Sequence, residues 1–335
     1  MPNNKMNIGF FVLSQLQFIE AIAISKRLGV ETPYLLIDSR LEIFDNSLSY
    51  RGCRVDFGHL SESKTHKLKL MFQWLKFCVK ENVVLDKLFI PSDVNPFISM
   101  FVFFKNLKNK IVYFEEGGTL FYVNSYNKPS LIRKIYFHIT INNYKASFLQ
   151  SERLNEGYVF LKESVEKVRG NISFHDLSEI LDSEMPNIDY SLSEKALELH
   201  NEPDLVFLTQ PLTLDKICKD DFEVEVLKRF ILASSYDKVC IKLHPRDSKE
   251  RYVDLLDQCP SAFILDENLN NIPYQLLHLS LKPKAIATYF SSVVYSVAPT
   301  HSTFRRYMLV NELGNESIKR TAEDYKNMVV DLEIL

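Results

Sequence analysis

Short apolar runs alternate with helical spacing through the first half of the chain. Asn7–Leu13 (NIGFFVL) predicts a strand buried on both faces, and Phe18–Leu28 follows with apolar residues at helical spacing. Tyr34–Ile37 (YLLI) predicts a second strand. Lys67–Lys80 repeats the helical spacing, and Lys87–Ile90 (KLFI) predicts a third strand. Asn109–Phe114 (NKIVYF) predicts another, running into Glu115-Glu116-Gly117-Gly118. A polar stretch with two prolines, 183–204, interrupts the pattern. The series then restarts. Leu205–Leu208 runs into Thr209-Gln210-Pro211, and Glu223–Ser234 has helical spacing. Lys238–Leu243 runs into His244-Pro245-Arg246, and Pro283–Thr288 into Tyr289-Phe290-Ser291-Ser292, with a helix over Val293–Ala298. Strands alternating with helices predict an α/β protein with parallel sheets. The expectation is two doubly wound, Rossmann-like domains facing each other across a cleft, 1–185 and 200–335, joined by a linker over 186–199.

Length agrees with two domains, since 335 residues exceed the roughly 100–200 of one. A net charge of −3 offers no bulk basicity for nucleic acid. Only 9 glycines occur, and neither GxGxxG nor GxxxxGK[ST] is present, which excludes the common glycine-rich phosphate loops. The five cysteines form no CxxC pair, so a disulfide framework or cysteine-rich zinc site is not expected. The first residues lack a signal-peptide core and no run is long enough to span a bilayer; the chain reads as cytoplasmic.

The unusual polar residues follow predicted strands, where parallel sheets bind ligands. Glu115 and Glu116 precede the one Gly-Gly pair of a glycine-poor chain. Either carboxylate suits a general base, with Gly117 letting a ligand approach the backbone; a solvated turn is the blander reading. His244, fixed by Pro245, suits a proton or hydrogen-bond donor to a leaving phosphate, with Arg246 beside it. Arg246 could instead pair with Asp247 or Asp254, in an ordinary His-Pro turn. Ser291 and Ser292, between a strand and a helix, suit anion binding, or a plain N-cap. Gln210 suits contact with a sugar or nucleotide. No D-x-D triplet, HExxH or GxSxG is present, which disfavours a metal-clamped diphosphate, a zinc hydrolase and an α/β-type serine hydrolase.

In this order, Glu115-Glu116-Gly117, His244-Pro245-Arg246 and Thr288-Tyr289-Phe290-Ser291-Ser292 resemble the motifs of bacterial two-domain GT-B sialyltransferases. The nearest resemblance is to glycosyltransferase family 52, the lipooligosaccharide sialyltransferases, with the bacterial polysialyltransferases more distant. Ser14-Gln15-Leu16-Gln17 resembles the family's T-P-L-Q strand end. The chain departs from the pattern in carrying EEG for DDG. It also lacks the acid that follows the family's G-[SQ]-P turn; Asp215 is the nearest substitute. The resemblance implies inverting transfer of sialic acid from CMP-sialic acid to a hydroxyl of a surface glycan, without a metal or other cofactor. Glu115, Glu116 or Asp215 would be the base, and His244 the group that assists the departing phosphate. Gly117, Gln210, Pro245, Arg246, Tyr289, Ser291 and Ser292 would hold the donor. Gln17, Asp93 and Asn95 would meet the acceptor. A GT-B enzyme using another nucleotide sugar, or a non-catalytic nucleotide- or glycan-binding relative, is the alternative. Phe103–Lys110 and Lys128–His138 are basic and aromatic, which reads either as peripheral contact with the inner membrane face or as solvated helix. A homodimer would be in keeping with the family.

Overall fold

The computed structural model describes residues 6–41, 49–56, 64–115, 130–143, 145, 149–168, 171–184, 202–215, 217–218, 222–270, 272–297, 301–327, 329 and 331–335. The chain divides into two compact units, Met1–Tyr190 and Ser191–Leu335. The linker expected over 186–199 lies outside the described residues.

The first unit contains strands β1 (Ile8–Val12), β2 (Tyr34–Asp38), β3 (Arg51–Val55), β4 (Lys87–Ile90), β5 (Ile111–Phe114), β6 (Glu156–Val159) and β7 (Ser173–Asp176). Its helices are α1 (Gln15–Arg27), α2 (Lys64–Lys80), α3 (Pro96–Phe104), α4 (Leu131–Ile141), α5 (Lys162–Val168) and α6 (Leu177–Glu184). The strands form one parallel sheet in the order β3-β2-β1-β4-β5-β6-β7. The order reverses between β1 and β4. Right-handed crossovers in the two directions put helices on opposite faces. Consecutive apolar residues serve both layers, as a doubly covered sheet requires. Phe10 stacks on Phe89 at 4.3 Å, while its neighbour Phe11 meets Phe101 edge-on at 5.5 Å on the α3 side. Trp74 of α2 joins that second layer and donates its Nε1–H to the carbonyl of Phe97 at 2.7 Å.

Local chemistry starts the helices. Ser14 Oγ accepts from the Gln17 amide and caps α1. Asn95 caps α3 by accepting from the amides of Phe97 and Ile98, with Pro96 in the first turn. In edge strand β3, Gly52 has φ +142°, and a Cβ there would lie 1.9 Å from the carbonyl oxygen of Leu35. Gly52→Ala is therefore expected to lower stability by on the order of 2–4 kcal/mol, because the strand must leave its ladder with β2. An unchanged melting temperature would contradict this.

The second unit contains β8 (Leu205–Leu208), β9 (Val239–Lys242), β10 (Ala262–Ile264), β11 (Ala285–Thr288), β12 (Arg305–Met308) and β13 (Leu332–Ile334). They too are parallel, in the order β10-β9-β8-β11-β12-β13. Its helices are α7 (Phe222–Ala233), α8 (Val253–Gln258), α9 (Glu267–Asn270), α10 (Tyr274–Leu281), α11 (Val293–Ser296) and α12 (Glu316–Lys326). Here the order reverses between β8 and β11. The central strands β8, β9 and β11 are wholly buried; β8 is apolar throughout, and β9 and β11 are apolar up to their last residue. The helix expected over Val293–Ala298 is a single turn, α11, so its dipole is smaller than a full helix would supply.

Candidate active site

In the second unit three of the singled-out segments leave neighbouring strands, β9, β8 and β11. They cross-link there. Thr209 Oγ1 accepts from the His244 amide at 2.8 Å. The Gln210 side chain donates its Nε2–H to the Phe290 carbonyl and accepts from the Phe290 amide through Oε1. Gln210, expected at the donor, therefore clamps the loop carrying Ser291 and Ser292. Both serines are half-buried, and Ser291 Oγ accepts from the Val293 amide at 3.3 Å.

His244 Nδ1 accepts from the Arg246 amide at 3.1 Å. The neutral ring must then carry its proton on Nε2, the nitrogen left to donate. Burial lowers the His244 pKa below the ordinary histidine value, and the positive charges of Arg246 and Lys242 add to this. The ring is thus neutral near pH 7, and Pro245 after it limits the backbone.

Arg246 forms a bidentate pair with Asp215, both contacts at 2.8 Å, and not with Asp247 or Asp254. This pairing holds the Asp215 carboxyl below the usual carboxylate range. A carboxylate so engaged is a poor proton acceptor. Asp215, expected as the substitute base, is placed against Arg246 and orients its guanidinium.

Beneath the His-Pro turn lies a network that sequence reasoning missed. Asp247 accepts from Arg251 Nη1 at 2.8 Å, from the Tyr252 hydroxyl at 2.6 Å and from the Ser248 amide at 3.0 Å. Arg251 also donates to the buried Glu223, which accepts from Thr213 and from Cys218 Sγ. Burial alone would raise the Glu223 pKa; the hydrogen bonds from Cys218, Thr213 and Arg251 outweigh it and bring it to about 2. The Tyr289 hydroxyl donates to the Glu223 carbonyl, and the Tyr289 side chain is fully buried. Tyr289, expected at the donor, is thus placed in the support under the loop. No local spacing signals this network, because Glu223 and Arg251 are brought together only by the fold.

In the first unit the strand-end polar residues face inward. Gln17 is buried and its Oε1 accepts from the Leu13 amide at 2.7 Å, tying β1 to α1. Asn95 spends its oxygen on the α3 cap. Asp93 is buried and accepts from the amides of Leu149, Gln150 and Ser151 and from Asn143 Nδ2, all within 3.0 Å. All three side chains, expected at the acceptor, place an oxygen on backbone amides here. Burial raises the Asp93 pKa and its backbone donors oppose this, leaving about 6. Asp93→Ala would strand these donors and is expected to cost about 2–4 kcal/mol, read as a lower unfolding midpoint. An unchanged midpoint would show the 149–151 segment held by other means.

Glu115 is likewise buried, and its Oε2 accepts from the Phe160 amide at 2.8 Å across the β5 and β6 ends. Glu116 and Gly117 lie outside the described residues. Among the described residues, no group of three or more His, Cys, Asp or Glu is placed to hold a metal ion.

The alpha-2,8-polysialyltransferase (POLYST) family model matches residues 61–298, well over half of the chain. No curated protein sequence matches. Among solved structures, the α/β-galactoside α-2,3-sialyltransferase of Photobacterium phosphoreum aligns over 99% of both chains with TM-score 0.56 and 12% identity. A putative UDP-N-acetylglucosamine 2-epimerase of Listeria monocytogenes aligns over 92% of this chain and 80% of its own, with TM-score 0.54 and 10% identity. Os79 from O. sativa, in complex with UDP, aligns over 94% and 83%, with TM-score 0.56 and 9% identity. Identities this low establish the GT-B fold alone. The matching family is the one that the motifs resemble at greater distance. With residues 61–298 spanning both the acidic pair and the His-Pro turn, the chain belongs to the alpha-2,8-polysialyltransferase family and is a glycosyltransferase of sialyl transfer.

Proposed function

We propose that the protein transfers sialic acid from CMP-sialic acid to a hydroxyl of a bacterial surface glycan, with inversion and without a metal ion. The observation that carries this reading is the cluster at the β8, β9 and β11 ends. There a neutral His244 has Nδ1 occupied and Nε2–H to give, beside the Asp215-oriented guanidinium of Arg246; Ser291 and Ser292 follow β11 at the same edge of the sheet, tied to the β8 end through Gln210. That set suits one phosphate. The histidine donates a hydrogen bond to the departing oxygen, while the serine hydroxyls and Arg246 receive its charge. CMP has a single phosphate, so the diphosphate clamp that a metal commonly provides is not needed.

Within the acidic pair the roles divide. Glu115 holds the Phe160 amide. Glu116 is the base, taking the proton of the acceptor hydroxyl as its oxygen attacks the anomeric carbon and the bond to CMP breaks. Glu116→Gln is expected to lower turnover by about 10²–10⁴-fold. Wild-type turnover in Glu116→Gln would remove the base assignment.

The reading is tested by CMP release. The chain is incubated with CMP-N-acetylneuraminic acid and acceptors ending in galactose or in sialic acid, the latter included because the family description names an α-2,8 linkage. EDTA is present in half of the reactions. Acceptor-dependent release, equal with and without EDTA, is the expected result. Consumption of a UDP-sugar instead would discard the donor. CMP binding with no turnover of any donor would make the protein a non-catalytic relative.

A further inference from the structure

Helix α4 has two apolar faces instead of one. Phe137, Thr140 and Ile141 are buried. Leu131, Ile132, Ile135 and Ile139 are 72%, 81%, 49% and 52% exposed. At helical spacing these four fall within an arc of about 100°, opposite the buried residues. An ordinary surface helix turns polar side chains outward; the outward arc of α4 is aliphatic. The surface continues onto the end of α3. Lys108 Nζ donates to the Ile139 carbonyl at 2.6 Å and lies 5.2 Å over the ring of Phe103. Phe103 is exposed and meets the exposed Phe104 edge-on at 5.4 Å.

The charge around this surface is mostly positive. Residues 94–152 contain seven Lys or Arg and three acids, Glu115, Glu116 and Glu152, in a chain whose net charge is −3. Glu115 is buried, and the exposed Glu152 accepts from Asn142 at the C-terminal end of α4. Arg133 and Lys134 are exposed on α4 itself.

We propose that this α3–α4 face of the first unit docks onto an anionic lipid membrane. Aliphatic and aromatic side chains enter the boundary between headgroups and acyl chains, while Lys108, Arg133 and Lys134 meet the lipid phosphates. A second copy is the poorer occupant, because a two-fold contact through this face would set like charges against each other. A polyanionic glycan would engage the cations and leave the aliphatic stripe in water. Among the described residues no helix is long and apolar enough to cross a membrane. The inference is independent of donor chemistry.

The test is co-sedimentation of the full chain with vesicles of phosphatidylcholine alone and of phosphatidylcholine mixed with phosphatidylglycerol. Binding to the mixed vesicles, absent from phosphatidylcholine alone and released by salt, is expected. The double variant Ile132→Glu/Ile135→Glu changes exposed positions, so its fold should survive, which circular dichroism checks. It is expected to lower partitioning by about tenfold or more. Lys134→Glu is expected to lower it by about fivefold or more. No binding at low salt would overturn the proposal, as would equal binding by the double variant. A dimer that this double variant dissociates, without vesicle binding by the wild type, would assign the face to a second copy and overturn it too.

Discussion

His244→Ala is expected to lower acceptor-dependent CMP release by about 10²–10⁴-fold with little change in melting temperature. The backbone of the turn does not depend on the ring, since the His244 amide is held by Thr209 Oγ1 and the Asp247 amide by the His244 carbonyl. Among the described residues, the ring's one internal bond is from the Arg246 amide, which lies in an exposed turn and can turn to water when the ring is gone. What disappears is the Nε2–H donor. His244→Gln keeps a donor and should recover part of the rate, which a merely space-filling role would not produce. The acid side has a definite sign. The folded ring takes up its proton less readily than an unfolded histidine, so this residue's contribution to stability is present above the ordinary histidine range and lost as pH falls through it. Undiminished release by His244→Ala would remove His244 from the mechanism.

Arg251→Met is expected to be the most damaging of the stability variants, at about 3–5 kcal/mol. Arg251 bridges two side chains with no exposed surface, Glu223 and Asp247. Removing it leaves both carboxylates buried without their cation. Lysine should not restore the bridge, because a single ammonium does not present the two separated donors that the guanidinium does. The same pair predicts acid sensitivity. Glu223 sits at about 2, against 4.5 for an ordinary glutamate. A depressed acid of this kind stabilises the fold above pH 4.5 and loses that contribution as pH falls toward 2. Hydrogen exchange over 205–297 should rise in Arg251→Met, and the variant's remaining turnover should fall because Asp247 no longer anchors the His-Pro turn. Wild-type protection in that segment would show that the network is dispensable.

The central strands were readable because they are buried on both faces. Such strands must be nearly continuous apolar runs, so β1, β2, β4, β5, β8, β9 and β11 stand out within a residue or two of their observed bounds. The outer strands do not announce themselves. Arg51–Val55 (RGCRV) is largely exposed at a sheet edge, and Ser173–Asp176 (SFHD) alternates. Arg305–Met308 (RRYM) begins with two arginines, one of which, Arg306, is buried and bonded to the Val297 carbonyl. Edge and outer strands need only half the apolar surface, and half a pattern over four residues resembles a loop.

By itself, the sequence determined the parallel α/β architecture and the central apolar strands after which the polar segments follow. Periodicity and burial are local properties, and local properties are written in local order. Tertiary structure alone decided what each of those polar side chains bonds to. Asp93, Gln17, Tyr289 and His244 all follow apolar strands and look alike in one dimension. Asp93 is taken by donors that lie 50–58 residues further along the chain, and Tyr289 by a carbonyl 66 residues away. His244 keeps Nε2 because its other nitrogen is satisfied two residues on. A polar group's role is set by what already fills its hydrogen-bonding capacity, and for most of these groups the filling comes from parts of the chain that only the fold brings near.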